Sequence, residues 1–465
     1  MKTRLMNSWD AIRSSFWFLP SVLSLCALLL ALACTVMDGP FERWVVDQIP
    51  WVGVSTDAAR ASLGAIVSAM VSIAGIVFSV MLVTLSITAS QYGSRLLRTF
   101  TSDVVTQLSL GTLIATSLYC LVALAGIRDD GGQGTANVSV VVGLCLAIFS
   151  LGVLIAFIHH VSNLIQAPSV VAAVAADLDQ SLNVLFPAAS RATISACAID
   201  EHIYCQLKEG APIKSTKEGY IQTIDLEGLV NFAVDADLLI QLRVRPGHFV
   251  ENGQAVAELW PCDALPNVST RNDSGVGERA IEFGRRFDQR FNGYLAVGNR
   301  RTPRQDAECA LEELVEVAVR ALSPGINDPF TAIACVDRLS AALGRVAERS
   351  DPNEIICDNT GSPRLKTTST TFASLMDAAF NQLRQHGCSS VAVAIRLVEC
   401  FQRISQHVSD GDRRDVVCQH AHKLRRDFRR QVSEPDDGDD FQEAWERLLE
   451  ELGPPPSRDR LRPAS

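Results

Sequence analysis

Charge is what the first third of this chain lacks. Residues 14 to 37, 61 to 94, 104 to 127 and 131 to 158 contain no Asp, Glu, Lys or Arg. Each run holds about 20 mainly apolar residues, enough to cross a hydrocarbon core as a helix. No ionisable residue stands in the middle of such a run. That argues against a proton-coupled carrier, because such carriers place acids and bases inside the membrane. Basic residues are scarce here as well. Of 42 Lys and Arg only eight precede residue 161, and the net charge is -10, so there is no general attraction for nucleic acid or anionic lipid.

Other absences narrow the chemistry. None of the 13 cysteines forms a CxxC pair, and four of them (Cys26, Cys34, Cys120, Cys145) lie in the apolar runs. An odd, scattered set reads as reduced, separately buried thiols and not as a disulfide framework. There is no GxxxxGK[ST], HExxH, GxSxG or GxGxxG, so the common phosphate-cradling, zinc-hydrolase, nucleophile-elbow and dinucleotide signatures are missing. The expectation is a protein that is not an enzyme and has no cofactor and no metal. Cys418, His420 and His422 cluster on a helical segment, but residues two apart do not share a helix face, so they do not make a zinc site alone.

What is present is a membrane part followed by a soluble one. The fold class expected is a multi-domain membrane protein: a four-helix transmembrane region, then a soluble α+β part with a small β-rich module and a helical bundle. The transmembrane domain takes residues 1–165, with spans near 17–37, 62–88, 106–127 and 138–160. The run from Trp17 to Met37 is too long for a signal core and has no small-x-small site after it, so it reads as a retained span. A linking helix falls within 166–205, ended by Pro187. The β module takes 206–265, with strand-like alternation in GYIQTIDL and LLIQLRVR and turns at Pro246-Gly247 and Asn252-Gly253. A helical domain follows over 278–452, in which SEPDDGDD reads as solvated or disordered, and 453–465 as a disordered tail.

The loops set an orientation. Lys2, Arg4 and Arg13 before the first run, with Arg95 and Arg98 after the second, outnumber the three basic residues of the alternate loops, which also hold the acids. This places both termini in the cytoplasm. In the second run Gly64, Ser68, Ser72, Gly75 and Ser79 fall on one helix side. Such a face packs helices closely or lines a polar path. His159 and His160 close the fourth run and point in different directions.

With these features placed, a resemblance emerges. ITASQYGSRLLRTF after the second span, QLSLGTLIATSLYCLVAL in the third and FIHH at the end of the fourth resemble bacterial membrane proteins grouped as "domain of unknown function 2254". So do GYIQTID, VRPGHFVENG, RRTPRQD and RALSPGINDPFTA, and the match runs from about residue 60 to 400. Ser94 departs from the proline of a QFGPR-like string. The resemblance implies a membrane location and this architecture, and it carries no activity.

Two motifs stand out in the soluble part. RRTPRQD sets Arg300, Arg301 and Arg304 beside Asp306 at a helix start, a pattern that holds an anion or caps the helix. SPGINDP brings Asn327 and Asp328 to the far end of the same helix, with Asp328-Pro329 as an N-cap and N1 pair for the next. A helix of about 17 residues separates them by roughly 25 Å, so one small-molecule site cannot use both ends. They serve separate turns, or an oligomer brings the arginine end of one subunit to the Asn-Asp end of another.

The reading that joins these features is an inner-membrane, multi-pass protein in a lipid bilayer, a channel-like or transport-associated homo-oligomer with a regulatory cytoplasmic domain. No nucleic-acid partner is expected, and no ion or small-molecule ligand is specified. A membrane-anchored sensor or scaffold without transport is the alternative, and a membrane-tethered enzyme comes third.

Overall fold

The computed structural model describes residues 16–36, 55–93, 103–127, 137–164, 166–187, 210–261, 287–432 and 434–452. The chain divides into two compact units, Leu5–Ser169 and Val170–Ser465.

The first unit contains α1 (Phe18–Val36), α2 (Thr56–Gln91), α3 (Val104–Gly126) and α4 (Asn137–Leu164). Three helices, Thr56–Gln91, Val104–Gly126 and Val138–Asn163, are long and apolar enough to cross a membrane, and Phe18–Cys34 is a shorter apolar helix. The helices start where local chemistry lets them. Ser55 caps α2 by accepting from Ala58 N, and Asp103 caps α3 by accepting from Thr106 N at 2.8 Å. Helix α3 is the most buried of the candidate spans. Its Tyr119, Cys120 and Ala123 pack with Ala31 of α1 and Leu63 of α2. Some hydroxyls bond across the bundle, Thr116 meeting Ser150 at 2.8 Å and Tyr119 donating to Ser139 O at 3.2 Å. Close backbone approach occurs at Gly111, where a Cβ would lie 3.0 Å from Pro20 Cα. It recurs at Gly143, where a Cβ would lie 3.0 Å from Leu63 Cδ2.

Helix α5 (Ala167–Leu185) crosses the division, and in the second unit its Asp179 pairs with Arg345, while Phe186 O accepts from Arg349 at 2.6 Å. Strands β1 (Ala211–Lys214), β2 (Gly219–Ile224), β3 (Leu238–Leu242), β4 (Phe249–Val250) and β5 (Ala255–Pro261) follow, with α6 (Leu226–Asp235) between β2 and β3. Then come α7 (Asp288–Phe291) and β6 (Leu295–Gly298), α8 (Ala307–Ala321) and α9 (Pro329–Ala347), and β7 (Ile355–Cys357) and β8 (Pro363–Lys366). The last four helices are α10 (Phe372–Gly387), α11 (Val391–Gln406), α12 (Gly411–Gln431) and α13 (Pro435–Leu452).

Two sheets form the β part, ordered β1-β5-β3-β8-β7 and β4-β2-β6. All pairings are antiparallel except β3 with β8. Ile213, Ile221, Phe232, Ile240, Val256 and Phe291 lie in their common core. Strands β6, β7 and β8 all come from beyond residue 278, where only helices are expected from periodicity. They run three or four residues each, too short to show alternation, and pairing supplies what local pattern does not.

Two further corrections concern the same unit. The acidic PDDGDD is the opening of α13, with Pro435 first and Asp436 and Asp437 in the first turn, where carboxylates favour the helix dipole. Nine described cysteines are free thiols, but Cys357 is disulfide-bonded. The all-thiol reading therefore fails, and the orientation rests on the charge bias of the loops. The segment 453–465 also lies outside the described residues.

Candidate functional site

The two soluble motifs end up in different places. RRTPRQD meets the VRPGH turn that follows β3. Asp306, almost wholly buried, caps α8 by accepting from Cys309 N at 3.0 Å. Arg301 grips it in a fork, Nε to Oδ2 at 2.7 Å and Nη2 to Oδ1 at 2.9 Å, and its Nη1 reaches both oxygens of Glu312 at 2.8 and 2.9 Å. Burial works against the charge on Arg301, but the hydrogen bonds and charges of Asp306 and Glu312 outweigh it and hold the guanidinium firmly protonated.

Beside this pair, Arg245 donates to Glu308 at 2.9 and 3.0 Å, to Thr370 Oγ1 at 3.0 Å and to His248 Nε2 at 3.2 Å. Since His248 Nε2 accepts, its proton sits on Nδ1. Burial first, and then the neighbouring Arg245 charge, push its pKa down. Between Arg245 and His248 lies Gly247, with φ +93, where a Cβ would fall 3.2 Å from Arg301 Nε and 2.8 Å from Asp306 Cγ. Only glycine lets the turn lie this close. Gln305 completes the join by accepting from Ile224 N at 2.9 Å and donating to Ile224 O at 3.3 Å, so its amide extends the pattern of β2.

Two arginines thus face three carboxylates. The guanidiniums are spent on acids of the same chain, which makes the cluster a clamp between the β part and α8 and not an open anion cradle. Arg300 and Arg304 lie exposed beside it, with Arg300 O accepting from Gln222 at 3.0 Å.

SPGINDP stands apart at the other end of α8. Asn327 takes the left-handed conformation at φ +50. Asp328 N donates to Ala321 O at 2.7 Å, and its carboxylate accepts from Phe330 N and Thr331 N at 3.1 Å and from Thr331 Oγ1 at 2.5 Å. Both Asp306 and Asp328 are therefore engaged within one chain as helix caps. Arg245, His248, Glu308, Glu312 and Thr370 were not singled out by sequence reasoning. The i, i+4 spacing of Glu308 and Glu312 on one face of α8 is the signal that points to the last two acids.

In the first unit the small-residue face of α2 is open among the described residues, apart from the half-buried Gly64. Among the described residues, no atom beyond the chain neighbours and the adjoining turns of α2 comes within 4 Å of a Cβ built at Gly64 or Gly75. Ser68, Ser72 and Ser79 are exposed, and Ser72 Oγ donates to Ser68 O at 2.8 Å. The packed side, through Leu63, Met70, Val77, Thr84 and Thr88, is the opposite one. The adjacent histidines separate: His160 Nε2 meets Asp103 Oδ1 at 3.0 Å, and His159 meets Asn163 at 3.2 Å. Cys418 and His420 are buried while His422 is exposed. Among the described residues no group of three potential donors could hold a metal ion.

Comparisons with known proteins identify a family. The sequence profile of a family described as "Predicted membrane protein (DUF2254)" matches residues 13–403. Uncharacterized proteins of Mycobacterium tuberculosis and Mycobacterium bovis are 29% identical to the chain over 375 residues, covering 80% of it and 68% of each relative. No solved structure matches.

Proposed function

The chain belongs to the predicted membrane protein family DUF2254, and from that premise we propose that it is an oligomeric, multi-pass protein of the bacterial inner membrane, channel-like or transport-associated. In this proposal all four apolar helices cross the bilayer, both termini are cytoplasmic, and the unit from Val170 onward regulates the assembly. The observation that carries the proposal is the outward face of α2. At about 1.5 Å per residue this 36-residue helix is roughly 54 Å long, well beyond the roughly 30 Å hydrocarbon core. A strip of Gly and Ser runs along it, opposite its packed side. Small residues let helices of neighbouring copies approach closely, and the serine hydroxyls would give the shared surface a polar seam.

The absence of ionisable residues inside the spans favours a second reading, an anchored sensor or scaffold with no permeation path. Ion flux from liposomes containing the purified chain separates the two. Flux that disappears in Gly75→Leu supports the proposal. A correctly oligomeric protein that leaves the liposomes tight to ions and small solutes supports the sensor or scaffold.

A further inference from the structure

Helices α12 and α13 both lie beyond residue 403, where the family match ends. Their charges are opposed. Gly411–Gln431 carries seven Lys and Arg against three Asp, and Pro435–Leu452 carries eight Asp and Glu against one Arg. The two helices run antiparallel, as His422 against Trp445, Arg425 over Trp445 and Phe428 stacked on Phe441 require. Both helices bury an apolar side, Val417, Leu424 and Phe428 on one and Phe441, Trp445 and Leu448 on the other, and α13 lays its side chiefly on α11.

Of the charges, only Arg425 turns toward the neighbouring helix, over Trp445 and within reach of the Glu446 charge. Arg425 donates to Gln442 at 3.3 Å, but among the described residues no ion pair joins α12 to α13. Arg426 and Arg430 each stand 3.9 Å from Asp427, which is already paired with Arg384, and their side chains are 62% and 73% exposed. Asp436, Asp439, Asp440 and Glu443 are exposed on the neighbouring helix. The surface is therefore a basic strip laid beside an acidic strip.

We infer that this two-strip face pairs with the same face of a second copy of the chain. A two-fold axis running between the strips sets the basic strip of each copy on the acidic strip of the other. It aligns the last turns of α12 (Arg426, Arg429, Arg430) with the first turns of the partner's α13. The facing helices are antiparallel, so their dipoles oppose favourably as well. An anionic lipid surface or a nucleic acid would meet the acidic strip together with the basic one and be repelled by it. A second copy offers both signs in the right order.

The test uses the full chain in neutral detergent, with a photo-crosslinking residue in place of the exposed Gln419. The expected product is an intermolecular adduct that maps to the partner's Pro435–Leu452. Its yield should fall roughly tenfold between low and high salt, as screening shortens from about 10 Å at 0.1 M to about 3 Å at 1 M. The double variants R426E/R430E and D439K/E443K, each still helical by circular dichroism, should lose the adduct separately and recover it in an equimolar mixture, because each supplies the strip the other needs. A salt-independent yield, or no recovery on mixing, overturns the inference. So does binding of the wild-type chain to phosphatidylglycerol vesicles that R426E/R430E abolishes, since that would assign the basic strip to lipid.

Discussion

Replacing Gly247 with alanine should loosen the second unit by an amount that depends on Asp306. Two costs arise at this position. Its φ of +93 is foreign to residues with a Cβ, a strain of about 1–3 kcal/mol. The new Cβ also meets the Asp306 carboxyl group, which cannot swing aside because Cys309 N and the Arg301 fork both hold it. Such overpacking adds about 1–3 kcal/mol. For a unit of this size the total corresponds to a melting-temperature fall of about 3–10 °C. The assay is thermal unfolding of the purified chain, read by tryptophan fluorescence, for Gly247→Ala, Asp306→Ala and the double variant. With the carboxylate gone only the backbone cost remains, so Gly247→Ala should cost clearly less in the Asp306→Ala background. An unchanged melting temperature, or equal falls in both backgrounds, would refute the contact between the turn and α8.

Other expectations can be checked in the same preparations. His420 is buried between Phe380 and Phe401, and burial first, then Lys423, lowers its pKa to about 4. The unfolded chain takes up this proton near pH 6.5 and the folded chain only near pH 4, so stability falls as pH drops through that window, by roughly 2 kcal/mol between pH 7 and 5. His420→Phe should remove that part of the slope in denaturant titrations, and parallel pH profiles would contradict it. Asp328→Ala deletes the cap of α9 and should cost about 0.5–2 kcal/mol without changing oligomeric state, measured by native mass. In the first unit Gly111→Ala should lower thermal stability, because its Cβ meets Pro20 backbone. Gly75→Leu should leave folding intact and weaken assembly, since no described side chain lies within 4 Å of a Cβ there.

The parts legible in the sequence are those decided within a few residues. Caps at Asp306 and Asp328, the turns at Gly247 and Gly253 and the periodic faces of α8 and α9 follow from local chemistry, and the structure has them. The helix starting at Pro435 is local too, but its acidic opening resembles a solvated segment until the apolar face of Phe441, Trp445 and Leu448 is weighed with it. What could not be read depends on partners distant in the chain. Ile240 pairs with Leu365, and nothing in a strand of four residues announces that. The proximity of Gly247 to Asp306 joins two motifs that are each legible alone. On α2 the period of small residues is plain, yet the small residues that pack inside the bundle are Gly111 of α3 and Ser139, Gly143, Ala147 and Ser150 of α4, a repeat of the same kind that sequence reasoning passed over.

Membrane topology is the most direct test of the account, because the oligomer, the regulatory unit and the cytoplasmic termini all presuppose four crossings. Reporter fusions after residues 50, 97, 133 and 200 should read outside, inside, outside and inside in turn, with the shorter helix α1 crossing like the others. An inside reading at 133, or an inside reading at 50 that takes α1 out of the membrane, would contradict it.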